Sequence, residues 1–256
     1  MLKVGLALGA GSARGLAHIG VLQVFLEQKI PFDFIVGSSM GALVGAAYAA
    51  GADVYMLGRM AAAFDFSLLW DVRLARLGFI KGDRIETFVK LITKNKRFED
   101  LDVPLAVVAT DIEKGERVII REGKVSDAVR ASISIPGVFV PVKQEGRLLV
   151  DGAVTERLPV RAARELGAQK VIAVDVTFAE GKPVMVSNTL DVIMQSIEIL
   201  ERQIFEELTR SEADVLLQPK VAHISSRDFA KAEECIRLGR ECAEEKANFI
   251  KEVIAG

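Results

Sequence analysis

Cysteine is almost missing from this 256-residue chain, which contains only Cys235 and Cys242. Seven positions apart in a helical pattern, they stand roughly 10 Å apart along a helix axis, too far for a disulfide. Both are expected as packing residues in a reducing compartment. Histidine is equally scarce, so an imidazole base could only be His18 or His223. Neither sign of charge dominates: the net charge is −2 and the two signs are interspersed. No polybasic patch therefore announces nucleic acid or anionic lipid. The longest weakly polar stretch, Met40 to Gly51, is far short of a membrane span. The N-terminal MLKVGLALGAG lacks the long apolar core and small-residue cleavage site of a secretory signal. The expectation is a cytoplasmic protein, at most peripheral at a membrane.

What is present is ordinary globular material, 50% apolar and 27% charged, enough for one well-buried α/β domain or two small ones. No Gly/Ser/Pro linker or internal repeat divides the chain, so a single domain over 1–256 is expected. Its first half alternates apolar runs with helical patterns, which predicts an α/β sheet. Strands are expected at Lys3–Leu8, Phe32–Val36, Pro104–Thr110, Arg117–Arg121, Arg147–Val150 and Lys170–Val176. Helices are expected at Leu16–Gln28, at Met40–Ala50, from an Asp83 cap through Leu91, from a Ser126 cap to a stop at Pro136-Gly137, and at Val160–Leu166. Glu113-Lys114-Gly115 reads as a hairpin turn. After Thr177 the pattern predicts a long helix near Thr189–Ser211, a short strand at Asp214–Gln218 and a final helix at Asp228–Ile254.

Two glycine turns carry the chemistry. Gly37-Ser38-Ser39-Met40-Gly41 fits G-x-S-x-G with Ser39 at the centre, between a strand and a helix. A nucleophile elbow needs that context, because the sharp turn lifts the hydroxyl clear of the sheet. A serine capping the helix would leave the same pattern. The first turn, Gly9 to Gly15, follows the first strand and opens the first helix. Arg14-Gly15-Leu16 lacks the Lys-Ser/Thr of a P-loop, and Gly9, Gly11 and Gly15 are spaced one residue too far for G-x-G-x-x-G. No Tyr-x-x-x-Lys is present either. A nucleotide site is thereby disfavoured, whereas backbone N–H groups at such a turn suit an oxyanion. Arg14 adds a charge beside the loop, or serves as a structural arginine paired to a carboxylate.

The base for Ser39 has several candidates. His223 follows Ser39 and several aspartates, as in the Ser-Asp-His order of α/β-hydrolases. The elbow here, however, lies on only the second strand, and no acidic group stands beside His223 in VAHISSRD. His18 reads as a packed or loop-bonding histidine. Asp151 ends the strand RLLVD and precedes Gly152, which would let it project into the same cleft. Aspartate is a weak base, with an ordinary pKa of about 3.9, so a direct pair demands a close hydrogen bond. Asp111 and Asp175 have similar settings, and the pattern alone does not choose among the three.

Taken together, Ala10-Gly11-Ser12-Ala13-Arg14-Gly15, Gly37-Ser38-Ser39-Met40-Gly41 and Asp151-Gly152-Ala153 resemble the patatin-like phospholipase family, in its compact bacterial form. The stretches Val129–Val142 and Ala109–Val118 add to the likeness, which runs from Lys3 to about Val176; residues 187–256 form a helical remainder. The resemblance implies a three-layer α/β/α sandwich on a mainly parallel, mixed sheet. It implies Ser39 as nucleophile, Asp151 as its base in a dyad without histidine, and Ala10–Gly15 as the oxyanion hole. The substrate would be a lipid or other acyl ester, with no metal and no cofactor. One departure stands out: Ala10-Gly11-Ser12 occupies the place where the family commonly has three glycines, which restricts the loop. The alternatives are a His223 triad and a non-catalytic lipid-binding or regulatory module.

Phe64–Arg84 holds the only tryptophan and interleaved arginines among large apolar residues. It reads either as core or dimer-interface packing, or as a cover of the acyl site in transient contact with a membrane surface. Nothing in the sequence bears on the oligomeric state.

Overall fold

A computed structural model describes residues 2–69, 72–75, 78–177 and 212–255, with residues 192, 195, 196, 199 and 200 between them. The chain opens with β1 (Val4–Leu8), a 3-10 turn over Ser12–Leu16, and α1 (Ala17–Glu27). It continues through β2 (Phe34–Ser38), α2 (Met40–Ala49) and α3 (Val54–Ala63). A small hairpin, β3 (Val72–Ala75) and β4 (Gly78–Ile80), leads to α4 (Asp83–Ile92). Next come β5 (Leu105–Asp111), β6 (Glu116–Ile120) and α5 (Val125–Ser132). A second hairpin, β7 (Val142–Gln144) and β8 (Arg147–Asp151), is followed by the short α6 (Ala153–Glu156) and α7 (Val160–Glu165). Then come β9 (Lys170–Val174), β10 (Val215–Leu217) and the long α8 (Ala232–Ala255).

Among the described residues, eight strands form one mixed sheet in the order β10-β9-β1-β2-β5-β8-β7, with β6 also paired to β5. The pairs from β10 to β5 are parallel; β6, β7 and β8 join antiparallel. Strand side chains alternate between two cores. Leu6, Leu8, Ile35, Val107, Ile172 and Val174 face the core shared with α1, α2, α5 and α8. Ala7, Val36, Ala106, Val108 and Ala173 face Leu158, Val160 and Ala163 around α7. Period-two alternation with apolar residues on both faces requires a helical layer on each side, and the result is the expected three-layer sandwich.

The strand registers position the site. β6 pairs with β5 from Val107 to Asp111, overlapping both the β2 contacts, which end at Ser38–Val108, and the β8 contacts, which begin at Ala109–Asp151. A strand has only two edges, so β2 and β8 share the edge opposite β6. One runs parallel and the other antiparallel to β5, and their C-terminal ends meet head to head. At that junction a Cβ on Gly152 would stand 2.2 Å from the Val108 carbonyl oxygen and 2.7 Å from Ser38 Oγ. Only glycine fits so close an approach.

Several expectations need correction. Asp83 is not the cap of α4: Gly82 occupies that position with φ 85°, and the Asp83 carboxylate pairs with Lys81 at 2.7 Å. Nor does Ser126 cap α5; it lies inside the helix, buried, with Lys124 at the N-cap. The helix α5 ends at Ser132, before Pro136-Gly137. The helix α3 was not expected; Asp53 caps it by accepting from the Met56 N–H at 2.7 Å. The long helix near Thr189–Ser211 lies outside the described residues except at the five positions named above, which are helical. Both cysteines are free thiols, Cys235 buried and Cys242 partly so.

Candidate active site

Ser39 follows the last residue of β2 and precedes the first of α2, with φ 53° and ψ −120°. A non-glycine residue in that region is strained by about 1–3 kcal/mol and survives only where its surroundings dictate it. Here the surroundings are tight: a Cβ on Gly41 would lie 2.1 Å from the Leu8 carbonyl oxygen and 2.7 Å from that of Gly9. The elbow helix therefore rests directly on the first glycine turn, and the two turns form one surface at the C-terminal edge of β1 and β2.

Ser39 Oγ donates to Asp151 Oδ2 at 2.8 Å, and both residues are buried. The other carboxylate oxygen, Oδ1, accepts from the Ala153 N–H at 2.9 Å. Thr110 Oγ1 donates to the Asp151 carbonyl at 2.9 Å, and the Asp151 N–H reaches the Ser134 carbonyl at 3.0 Å. The rival aspartates are engaged elsewhere. Asp111 accepts from the Glu113 N–H within its own turn, and Asp175 from the Thr177 N–H and Gln218 Nε2.

The glycine turn is anchored at most of its backbone groups. The Gly9 N–H bonds Val174, that of Ala10 bonds Arg157, that of Ala13 bonds Ser226, and that of Arg14 turns back to Gly11. The N–H groups of Gly11 and Ser12, and that of Met40 beside Ser39, have no hydrogen-bond partner among the described residues. Ser12 adopts φ 49°, so the non-glycine position in this loop does carry left-handed strain. Arg14 is buried and donates from Nε to the Ile224 carbonyl at 2.7 Å, fastening the loop to the segment before α8.

The histidines do different work. His18 is fully buried, and its Nε2 lies 2.8 Å from the Gly9 carbonyl oxygen, so that nitrogen carries the proton. Its Nδ1 has no partner, and burial pushes its pKa down to about 4. The ring is neutral and holds the base of the glycine turn. His223 pairs with Glu234 at 2.8 Å on the exposed side of α8. The absence of a neighbouring acid, which the sequence suggested for His223, is thus corrected by Glu234, eleven residues downstream.

Beside the elbow lies an apolar cleft, lined among others by Leu16, Met40, Leu43, Ala61, Phe64 and Phe88. Met40 adjoins Ser39 and Leu16 adjoins the glycine turn, so the cleft begins where both turns end. Phe64 stacks on Phe88 at 5.2 Å and Phe66 on Phe229 at 4.4 Å.

The sequence pattern of the family described as patatin-like phospholipase matches residues 6–164, which include both turns and Asp151. The chain belongs to the patatin-like phospholipase family. A curated relative, an uncharacterized NTE family protein of Mycobacterium tuberculosis, is 37% identical over 183 residues, 71% of this chain and 51% of that one. The chain thus spans about half the length of the mycobacterial relatives it matches. A lysophospholipase of Coccidioides immitis is 36% identical over 182 residues, covering 68% of this chain and 11% of the fungal one. Among solved structures, VipD from Legionella pneumophila superposes with a TM-score of 0.67 at 13% identity, over 95% of this chain and 67% of its own. ExoU of Pseudomonas aeruginosa, in its complex with SpcU, gives 0.54 at 16% identity, over 96% and 52%. At such identities these likenesses concern the fold.

Two residues at this candidate site escaped the reading of the sequence. Ser132 and Ser134, in the familiar stretch 129–142, touch the backbone of Ser39 and Asp151. A serine ending a short helix carries no local sign of where its hydroxyl points, so only the fold could reveal it.

Proposed function

We propose that this patatin-like chain is a serine hydrolase of lipid carboxylic esters, with Ser39 as nucleophile and Asp151 as base. The observation that carries the reading is the 2.8 Å hydrogen bond from Ser39 Oγ to Asp151 Oδ2 on a strained elbow. Ser39 Oγ attacks the ester carbonyl while its proton passes along that bond to Asp151. The developing oxyanion meets the open N–H groups of Gly11, Ser12 and Met40, donors that strengthen as negative charge builds. Collapse expels the alcohol, which takes the proton from Asp151. Asp151 then draws a proton from water as that water attacks the acyl-Ser39 ester, and collapse of the second tetrahedral species returns that proton from Asp151 to Ser39 Oγ as the carboxylic acid leaves.

The apolar cleft next to Met40 supports an acyl chain as the group held through these steps. The lysophospholipase name of a fungal relative supports a lipid ester over a small soluble one. The membrane contact foreseen for residues 64–84 remains part of the proposal, through Phe64 and Phe66 near the cleft and Leu68, which is 58% exposed. The side chain of Trp70 lies outside the described residues. Among those residues, no helix is long and apolar enough to cross a membrane.

Labelling with a fluorophosphonate probe, peptide mapping and ester turnover in Ser39→Ala, Asp151→Asn and His223→Ala test the reading. Label on Ser39 and turnover lost in the first two variants alone is the expected result. Turnover that survives Asp151→Asn and disappears in His223→Ala would restore the triad, and an unlabelled wild type would favour a binding module.

A further inference from the structure

Ser132 is the last residue of α5, and its hydroxyl stands between two backbone groups at the site. Its Oγ donates to the Val108 carbonyl at 2.6 Å and accepts from the Ser39 N–H at 2.8 Å. Its own carbonyl accepts from the Gly152 N–H at 3.3 Å, and two residues on the Ser134 carbonyl accepts from that of Asp151 at 3.0 Å. Ser132 and Ser134 are fully buried. Backbone groups on both sides of the Ser39–Asp151 hydrogen bond therefore hang from Ser132 and Ser134.

That anchorage is built firmly. Arg130, also buried, donates from Nη1 to Ser134 Oγ at 2.5 Å and from Nη2 to the carbonyls of Lys81 at 2.6 Å and Val140 at 3.1 Å. The register that takes the Ile35 N–H to the Pro104 carbonyl would take that of Ser39 to Val108, but the β2 ladder ends at the Ser38–Val108 pair and the Ser132 hydroxyl stands between the two groups. The Ser132 hydroxyl supplies the missing acceptor and passes the bond on to β5 through Val108. Without it, a buried N–H in a left-handed conformation would be unpaired, and relaxation of φ would swing Oγ away from Oδ2.

We propose that Ser132 is a positioning residue for the nucleophile: its hydroxyl holds Ser39 in the conformation that places Oγ on Asp151. The proposal rests on the hydrolase reading above. It concerns a group that touches neither substrate nor the reacting atoms, and it acts on the chemical step instead of on binding.

The test uses the full chain with the fluorophosphonate probe and a soluble p-nitrophenyl ester. Active sites are titrated with the probe, and the labelling rate, kcat per titrated site and KM are measured in wild type, Ser132→Ala, Ser132→Cys and Ser132→Thr. Labelling and kcat are expected to fall about 100-fold in Ser132→Ala with KM little changed, the scale of a small misplacement of a reacting group. Ser132→Cys, which keeps the volume but hydrogen-bonds weakly, is expected to fall likewise and decides the matter if the alanine variant does not fold. Ser132→Thr, which keeps the hydroxyl, is expected to recover most of the rate. A merely structural serine would lower the melting temperature and the titrated fraction but not kcat per site, and that result overturns the proposal. Wild-type protein unlabelled at Ser39 would instead bring down the hydrolase reading itself, and this role with it.

Discussion

His18 donates from Nε2 to the carbonyl oxygen of Gly9 at 2.8 Å, tying the first turn of α1 to the start of the glycine turn. Because a carbonyl only accepts, Nε2 carries a proton; Nδ1 is buried without a partner, and burial keeps the ring neutral. Protonation would place a full charge in a site with no solvent. The glycine turn is therefore set by a histidine that does not titrate near neutrality.

A stability signature follows from the direction of that shift. Burial lowers the His18 pKa from 6.5 to about 4, so between those values the unfolded chain binds a proton that the folded chain does not. Folding stability then falls as pH drops through this window, by about 3 kcal/mol from His18, and changes no further from this residue below about pH 4. Urea denaturation of wild type and His18→Gln at pH 7 and pH 4.5 measures it. The variant is expected to be less stable at pH 7 but to lose less stability between the two values. Equal losses in both proteins would remove His18 as the source.

Ser38 raises a further case, a buried hydroxyl with no partner next to Ser39. A hydroxyl desolvated without a hydrogen bond contributes nothing to offset its lost hydration. Ser38→Ala is therefore expected to unfold at the same or a slightly higher denaturant concentration, by up to about 1 kcal/mol. Fluorophosphonate label should still map to residue 39. A destabilised Ser38→Ala protein would mean that the hydroxyl does have a partner in solution.

How much of this was legible in the sequence depended on whether the signal was local. The strand and helix around Ser39 could be read because an elbow places its glycines within two residues of the serine. Which aspartate joins it could not be read from strand-end patterns. Asp111, Asp151 and Asp175 all end or follow strands, and only the meeting of β2 and β8 along one edge of β5 selects Asp151. The family resemblance pointed to the same residue on motif alone. The caps misled for a related reason. Asp83 and Ser126 are good cap residues by type, yet Lys81 takes the carboxylate of the first and burial draws the second inward. The helix α3 went unexpected, although Asp53 does cap it.

The head-to-head junction of β2 and β8 makes Gly152 a sensitive point. A methyl group there would meet the Val108 carbonyl oxygen at 2.2 Å, and a backbone atom in mid-sheet cannot step aside as a side chain can. Gly152→Ala is expected to destabilise the fold by about 1–3 kcal/mol, the usual range for overpacking. Because relief comes most readily from moving β8, the surviving folded protein should also label more slowly at Ser39. Thermal melts and labelling rates on the same preparation check both effects. A variant with wild-type melting and labelling would show that the junction is looser than its geometry implies.

The apolar cleft allows a prediction about substrate length. Ala61 lines it from α3 and is buried, so Ala61→Phe would take up room in the cleft that Met40, Phe64 and Phe88 also line, whereas Ser39 and Asp151 do not line it. Each methylene of an acyl chain buried there contributes about 0.8 kcal/mol, so denying room to three or four of them costs on the order of 3 kcal/mol, roughly 100-fold in kcat/KM. Short esters, whose chains end before the obstruction, should be turned over as by the wild type. The measurement is kcat/KM across a series of p-nitrophenyl esters from acetate to palmitate in both proteins. A variant that steepens the fall with chain length places the acyl group in this cleft. Parallel loss at all lengths, or none at any, would place it elsewhere.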